Sequence, residues 1–294
     1  MNIHTLKIFC DVIDTCSFSE TAQLNFITQS AVSQQITSLE RKLDDPLFIR
    51  GKGNFELTPG GKVLYKYAKE ILHLYQCITN EISMAKNVIS GTIKVATIYS
   101  IGLHELPPIT SFFAKEYPDV QLDIQYARMD KVYDSVRNGA VDLGIVAFPK
   151  KDSHVDVAPF RKDHLVLIIG ANHPLKEKKS IKLSEINGED FIAFDKDIPT
   201  AKAINKEFKD RNITVNTVMS FDNIETIKRA VEIETGISIV PKATIINELK
   251  IGLLHAVEFE DFYWERPLGI ITRSGREVQS IVELFMNYLQ KAEI

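Results

Sequence analysis

The spacing of apolar positions changes character twice along this chain. In the first stretch it is helical and brief. Leu6, Phe9, Val12 and Ile13 make the stripe of one helix, and Val32, Ile36, Leu39 and Leu43 make the stripe of another. Between them Ser19 is placed to cap a short helix carrying Glu20, Ala22 and Leu24, where small Ala22 suits a close helix crossing. Residues 25–27 read as a turn, and Thr28 as the cap of the helix behind it. The runs Leu47-Phe48-Ile49-Arg50 and Phe55-Glu56-Leu57-Thr58 flank Gly51-Lys52-Gly53-Asn54, which predicts a hairpin.

The second stretch is one long helix over residues 59–89. Leu64, Ile71, Ile78 and Ala85 recur at heptad spacing, and Ala68, Tyr75, Ile82 and Ile89 follow four residues behind, as in a coiled-coil seam. Leu64, Ile71, Tyr75, Ile78 and Ile82 are its candidate dimerisation residues, and Ser90-Gly91 ends the helix in a hinge.

From residue 92 strands and helices alternate. Ile93 and Val95 open a strand, residues 103–113 read as a helix, and Val120, Leu122, Ile124 and Tyr126 alternate as a strand. Val132 and Val136 mark a helix, and residues 141–147 an apolar strand. Residues 165–169 start a second set, with strands at 191–194, 215–221 and 237–240 and helices near 203–208 and 223–234. A strand at 267–272 and a helix at 276–290 close the chain and are expected to return to the first set. This βαβ rhythm is that of doubly wound sheets.

The polar side of the helix over residues 28–41 carries the first candidate chemistry. Gln29, Ser30, Ser33, Gln34 and Thr37 cover it, with Arg41 at its end. An ordinary solvated face is rich in Lys and Glu. This one offers small side chains and groups that donate and accept together, which is what base edges in a major groove require. Two helices around a short turn, the second presenting that face, make a helix-turn-helix. Arg50 and Lys52 on the hairpin suit a wing touching the DNA backbone, and Thr28 sits at the start of the reading helix.

Over this stretch the chain resembles the LysR-type transcriptional regulators. Phe9, Ser17-Phe18-Ser19, Ala22, Gln29-Ser30-Ala31-Val32-Ser33, Ile36, Leu39-Glu40, Leu43, Leu47-Phe48, Arg50, Leu57-Thr58 and Gly60 carry the resemblance. It implies a mainly α winged helix-turn-helix domain over residues 1–58, a linker and dimerisation helix over 59–90, and an α/β effector domain over 91–294. That last domain is expected as two Rossmann-like subdomains of periplasmic-binding-protein type, one from 91–161 with 267–294 and one from 162–266. The resemblance also implies promoter DNA and a small-molecule effector as partners, a homodimer or homotetramer, RNA polymerase as a further contact, and a cytoplasmic setting.

The effector site is expected in the cleft between the two subdomains, at strand-to-helix turns. Tyr99, Ser100, Ile101 and Gly102 lie at the first such turn, Ala147 and Phe148 follow the strand leading to the crossover, and Pro199, Thr200 and Lys202 open a later helix. Hydroxyls, free helix N-terminal amides and Lys202 suit an acidic group. Apolar Ile98, Ile101 and Ala147 favour an organic molecule with one acidic end over an inorganic anion. Ser100 and Thr200 acting only as helix caps is the plainer alternative.

Composition limits these readings. With 45% hydrophobic and 25% charged residues, the 294-residue chain is globular and long enough for two cored domains. No apolar run approaches a membrane span, and the N-terminus has no secretory pattern. Cys10, Cys16 and Cys77 and the scattered histidines have no metal-ligand spacing, and no cofactor is expected. Trp264, after Phe262-Tyr263, reads as a packing residue. Net charge is −4, and up to residue 60 five bases face seven acids, so any DNA footprint must be local and rely on an oligomer. No nucleophile elbow, P-loop, metal triad or dinucleotide fingerprint supports the alternative of a bilobed α/β enzyme fused to a DNA-binding head. A structural DNA-binding protein with a vestigial effector domain is the other alternative.

Overall fold

The computed structural model describes residues 1–49, 56–85 and 89–292, in two compact units. The first holds α1 (Ile3–Thr15), α2 (Phe18–Leu24), α3 (Gln29–Leu43), the paired strands β1 (Phe48–Ile49) and β2 (Glu56–Leu57), and α4 (Pro59–Ala85). Leu6, Phe9, Val12, Val32, Ile36 and Leu39 meet in its core, joined by Leu47 and Ala68. Leu43 departs from the predicted stripe: it is exposed in the last turn of α3, ahead of left-handed Asp44, which ends the helix.

Caps set the helix starts. The Thr28 hydroxyl accepts from the Ala31 amide at 3.2 Å, as its position predicts. At α2 the cap is Ser17 and not Ser19: the Ser17 hydroxyl accepts from the Glu20 amide, and Ser19 lies within the helix. Gly61, in the first turn of α4, passes so close to the Leu47 carbonyl that a Cβ would sit 2.2 Å from its oxygen. Glycine is therefore required there to lay α4 against the strand pair.

The second unit is the α/β domain. Its elements are β3 (Gly91–Thr97), α5 (Tyr99–His104), α6 (Leu106–Glu116), β4 (Val120–Tyr126), α7 (Met129–Arg137), β5 (Leu143–Ala147) and β6 (Val155–Gly170). There follow β7 (Ser180–Ile181), β8 (Asp190–Phe194), α8 (Pro199–Asp210), β9 (Asn216–Phe221) and α9 (Ile224–Glu232). The chain ends with β10 (Ser238–Pro241), α10 (Ile246–Ile251), β11 (Leu254–Phe259), β12 (Glu265–Arg273) and α11 (Ser280–Lys291).

The main sheet runs β4-β3-β5-β12-β6-β11-β7, with β10 also on β6 and a separate parallel pair β8-β9. β4, β3 and β5 are parallel, and β12 returns antiparallel between β5 and β6. The closing strand β12 thus lies beside β5 of the first lobe. One 16-residue strand, β6, serves both lobes. It pairs with β12 up to His164 and with β10 from Leu165, so the sequence-derived boundary at 161–162 falls inside an unbroken strand. The predicted helix over 103–113 is in fact two, α5 and α6. Pro107 and Pro108 fit only in a helix's first turn, so they start α6 rather than continue α5.

Candidate functional site

Two surfaces bear on function, one in each unit. In the first, Thr28, Gln29, Ser30, Ser33, Gln34, Thr37 and Arg41 are all exposed on the outer side of α3, opposite its buried stripe. Several acids of this unit are engaged elsewhere. Asp11 pairs with Lys7 and accepts from Asn25, Asp14 pairs with Lys69 and with the Tyr65 hydroxyl, and Glu40 accepts from the Leu47 amide at 2.9 Å. Arg41 and Lys42 are exposed in the last turn of α3, so local charge there exceeds what the composition suggests. Arg50 and Lys52 lie outside the described residues.

The predicted seam on α4 divides. Ala68 is buried and Leu64 half-buried against the unit's own core, so Leu64 is a core residue here and not a free dimerisation contact. Ile71, Tyr75, Ile78 and Ile82 are exposed, together with Val63, Tyr67 and Leu74. A continuous apolar stripe of this length on a long helix is unusual for an uncovered surface. Of the last heptad pair, Ala85 is the last described residue of α4, Ile89 is not helical, and residues 86–88 between them lie outside the described residues.

In the second unit a cavity of about 520 Å³ opens between the lobes. One wall comes from the turns after β3 and β4: Tyr99, Ser100, Arg128 and Asp130, with Ile98 and Met129 between. The other comes from the turns after β8 and β9: Asp197, Thr200, Asp222 and Asn223, with Phe194 and Ile198. These are strand C-termini and helix N-termini, where ligands of doubly wound folds sit.

The base of the cleft is Arg266, at 2% exposure. It lies opposite Asp163 in the β12–β6 register, and its Nη1 donates to Asp163 Oδ2 at 3.0 Å. Its Nη2 donates to Ser100 Oγ at 2.7 Å, and its Nε has no hydrogen-bond partner. Burial pulls the Arg266 pKa down while Asp163 and Glu105 oppose that. Burial pushes the Asp163 carboxyl up, against the nearby guanidinium. Two of the five guanidinium donors have named partners, and the unpartnered Nε is itself buried, so the residue meets the cavity at the Ser100 end. Thr200 is buried in the first turn of α8, whose cap position is Ile198, a side chain that cannot accept; first-turn amides there are left open.

The lobes are tied across the cleft by ion pairs. Arg128, after β4, reaches Asp197 at 2.6 Å and Asp222 at 3.1 Å on the other lobe. His104 of α5 lies 2.8 Å from Glu225 of α9. Behind it, buried Lys228 holds Glu225 at 2.9 Å, Glu248 at 2.8 Å and the Thr244 carbonyl at 2.9 Å.

Of the sequence-derived cleft residues, Tyr99, Ser100 and Thr200 line it. Ile101 and Gly102 do not: Ile101 is buried in the lobe, and a Cβ on Gly102 would sit 2.4 Å from the Tyr126 ring, so this glycine packs α5 on β4. Ala147 is buried, and Phe148 turns away in a left-handed conformation, its amide donating to the Pro267 carbonyl at 2.7 Å. The chain there goes to another strand, not to a helix, so no helix N-terminus opens on the cleft. Pro199 and Lys202 are also off the lining, because neither is on the side of α8 that carries Thr200. The strand-to-helix rule, applied to every turn, reaches Arg128, Asp130 and Asp222, which the selection of three turns passed over. Arg266 has no local signal; only its register with Asp163 reveals it.

The α3 face and a ligand-sized cleft in one chain are matched by two family models. Residues 3–62 match the bacterial regulatory helix-turn-helix protein of the lysR family, and residues 86–293 match the LysR substrate binding domain. The chain belongs to the LysR family. A probable RuBisCO transcriptional regulator of Trichormus variabilis is 30% identical over 286 residues, covering 95% of this chain and 85% of the relative. The HTH-type regulator CysL of Bacillus subtilis is 26% identical, covering 99% of this chain and 97% of CysL. A full-length OxyR variant of Pseudomonas aeruginosa shares the fold with TM-score 0.76 at 20% identity, covering 100% of this chain and 96% of OxyR. Full-length CbnR with its target DNA follows the chain with TM-score 0.72 at 17% identity, covering 99% of each. The CcmR regulatory domain of Synechocystis, in complex with 2-PG, aligns with TM-score 0.62 at 24% identity over 68% of this chain and 95% of that domain. The protein is thus a LysR-type transcriptional regulator with an effector-binding domain. Its family and relatives are regulators, not enzymes. Among the described residues no helix is long and apolar enough to cross a membrane.

Proposed function

We propose that this regulator reads promoter DNA with the exposed side of α3 and responds to a small organic effector held in the cleft around Arg266, Ser100 and Thr200. The observation that carries the reading is the buried Arg266, which lines a cavity of about 520 Å³ and there holds the Ser100 hydroxyl. A buried guanidinium is costly unless it is paired, and here one carboxylate and one hydroxyl are its partners. The cavity volume lies within the range of small-molecule sites. CcmR with 2-PG is a neighbour of the same fold whose regulatory domain holds a small molecule.

The proposed domains run over residues 1–58, 59–90 and 91–294. Arg50 and Lys52 of the wing add backbone contacts. The exposed stripe of Ile71, Tyr75, Ile78 and Ile82 supports pairing of two copies along α4, with a tetramer as the larger form and RNA polymerase met at the promoter. The effector acts by shifting the lobe arrangement. It enters beside Arg128, which Asp197 and Asp222 now share, and replaces contacts that tie the lobes. Only a ligand that prefers one arrangement moves that balance.

The test is a footprint. DNA from the interval beside the protein's own gene is protected with the full chain, with and without a metabolite library. The reading expects a protected site whose extent changes with a saturating small molecule. A footprint indifferent to every molecule that binds the chain would overturn the sensor role.

A further inference from the structure

We infer that the effector is a zwitterion, an amino carboxylate whose acid end meets Arg266 and Ser100 and whose cationic end meets the aspartates at the cleft mouth. This rests on the cleft being the effector site. The lining holds two arginines and three aspartates. They are not mixed at random. Arg266, at 2% exposure, forms the base, while Arg128, Asp130, Asp197 and Asp222 are exposed nearer the opening.

At the mouth, carboxylates outnumber cations. The single guanidinium of Arg128 is shared between Asp197 and Asp222. Asp130, in the first turn of α7, has no hydrogen bond or ion pair among the described residues and acts on Arg128 only through its charge. Two carboxylates therefore share one cation, and a third, Asp130, feels its charge without contact. A ligand bearing only negative charge would add repulsion at this end. One bearing only positive charge would set a second cation against the buried guanidinium of Arg266. A molecule with both charges answers both ends of the cleft.

The aromatic residues fit the same assignment. Tyr99 lines the cleft and is stacked on Tyr126, with centroids 5.9 Å apart, and Phe194 lines the opposite lobe. Aromatic faces beside carboxylates are the usual surroundings of a bound ammonium. Thr200, buried at the start of α8, adds a hydroxyl close to helix amides that favour the acid end.

The experiment uses the full chain and three matched sets of probes. These are α- and ω-amino acids, the same carboxylic acids without the amino group, and the same amines without the carboxylate. Thermal shift finds the binders and calorimetry measures them. The expected result is an amino acid that binds at least about tenfold tighter than either of its halves. Asp130→Asn, at an exposed position with no ion pair or hydrogen bond among the described residues, should then weaken the amino acid about tenfold and leave its des-amino acid unchanged. Acids that bind more tightly than every amino acid, or an Asp130→Asn change that improves the amino acid, would overturn the zwitterion and keep the cleft. No shift from any amino acid would overturn it as well. An amino acid whose affinity is unmoved by Thr200→Val and Arg266→Lys would place the site elsewhere, and the cleft reading itself would then fail.

Discussion

Arg266 and Thr200 mark the inner end of the cleft, and each makes a demand that a substitution can expose. Thr200→Val keeps the shape of the side chain and removes its hydroxyl. Effector affinity should fall by about 1–3 kcal/mol where a buried ligand group loses its partner, with DNA affinity in the absence of effector unchanged. Calorimetry of the variant decides this, and parental affinity would leave Thr200 a bystander. On α3, Gln29→Ala or Ser33→Ala should relax base preference by about 1–3 kcal/mol, because both side chains are exposed near the helix start. Equal losses on specific and scrambled duplexes at fixed salt would assign these residues to backbone positioning instead. Cys10 gives a simpler check of the first unit's core. Burial pushes its thiol up to about 12, so a thiol reagent at neutral pH should label exposed Cys16 long before Cys10.

At the scale of elements, α4 and α9 carry the connections. The stripe of α4 that includes Ile78 is exposed in the single chain. Ile78→Glu would place a charge in a dry seam if two α4 helices pair, so the variant should scatter light as a smaller species. A parental mass with parental DNA affinity would mean that copies meet elsewhere. Helix α9 links the lobes through Glu225, between His104 and buried Lys228. Lys228→Met leaves Glu248 and the Thr244 carbonyl without their partner and should cost about 3 kcal/mol in urea unfolding. Burial works against ionised Glu225, but the hydrogen bonds from Lys228 and His104 outweigh it and hold the carboxyl below the usual glutamate value of 4.5. Its folded pKa being depressed, the stability it contributes is present above about pH 4.5 and is lost as pH falls through the lower folded value. In Glu225→Gln that part of the acid-unfolding profile should flatten.

At the scale of the whole molecule, net charge and ligand linkage decide behaviour. A chain at −4 whose DNA-binding stretch has more acids than bases depends on a few well-placed cations. Neutralising Arg50 and Lys52 together should weaken binding on all sequences alike and lower the slope of log K against log salt. A parental slope would take the wing off the phosphates. Effector at a hundredfold excess over Kd should stabilise the chain by about 2.7 kcal/mol, provided it binds only the folded state. Gel filtration run at the same concentrations would show whether the rise accompanies a change in assembly.

The helix-turn-helix was legible in the chain because it is local: a capped turn, a helical apolar stripe and an uncharged opposite face all fall within a few turns of helix. Thr28 acts as the cap its position announces, and β3, β4, α7 and β5 follow from period and turn residues, whereas α10, β11 and the first half of β6 carry no period that marked them. Ser17 took the cap from Ser19 because candidates for one helix start lie close together and only backbone geometry chooses between them. Ser100 and Thr200 reach the cleft while Ala147 and Phe148 do not, since a strand end opens on a ligand only when a helix follows it. Arg128 meets Asp197 and Asp222, and Arg266 meets Asp163 and Ser100, across separations no periodicity connects. Local pattern determined which segments are helix and strand and which side of α3 is polar and exposed. The charges that face one another in the cleft were decided by the packing of two lobes on a shared strand, because a buried arginine finds its partners in space and not in sequence.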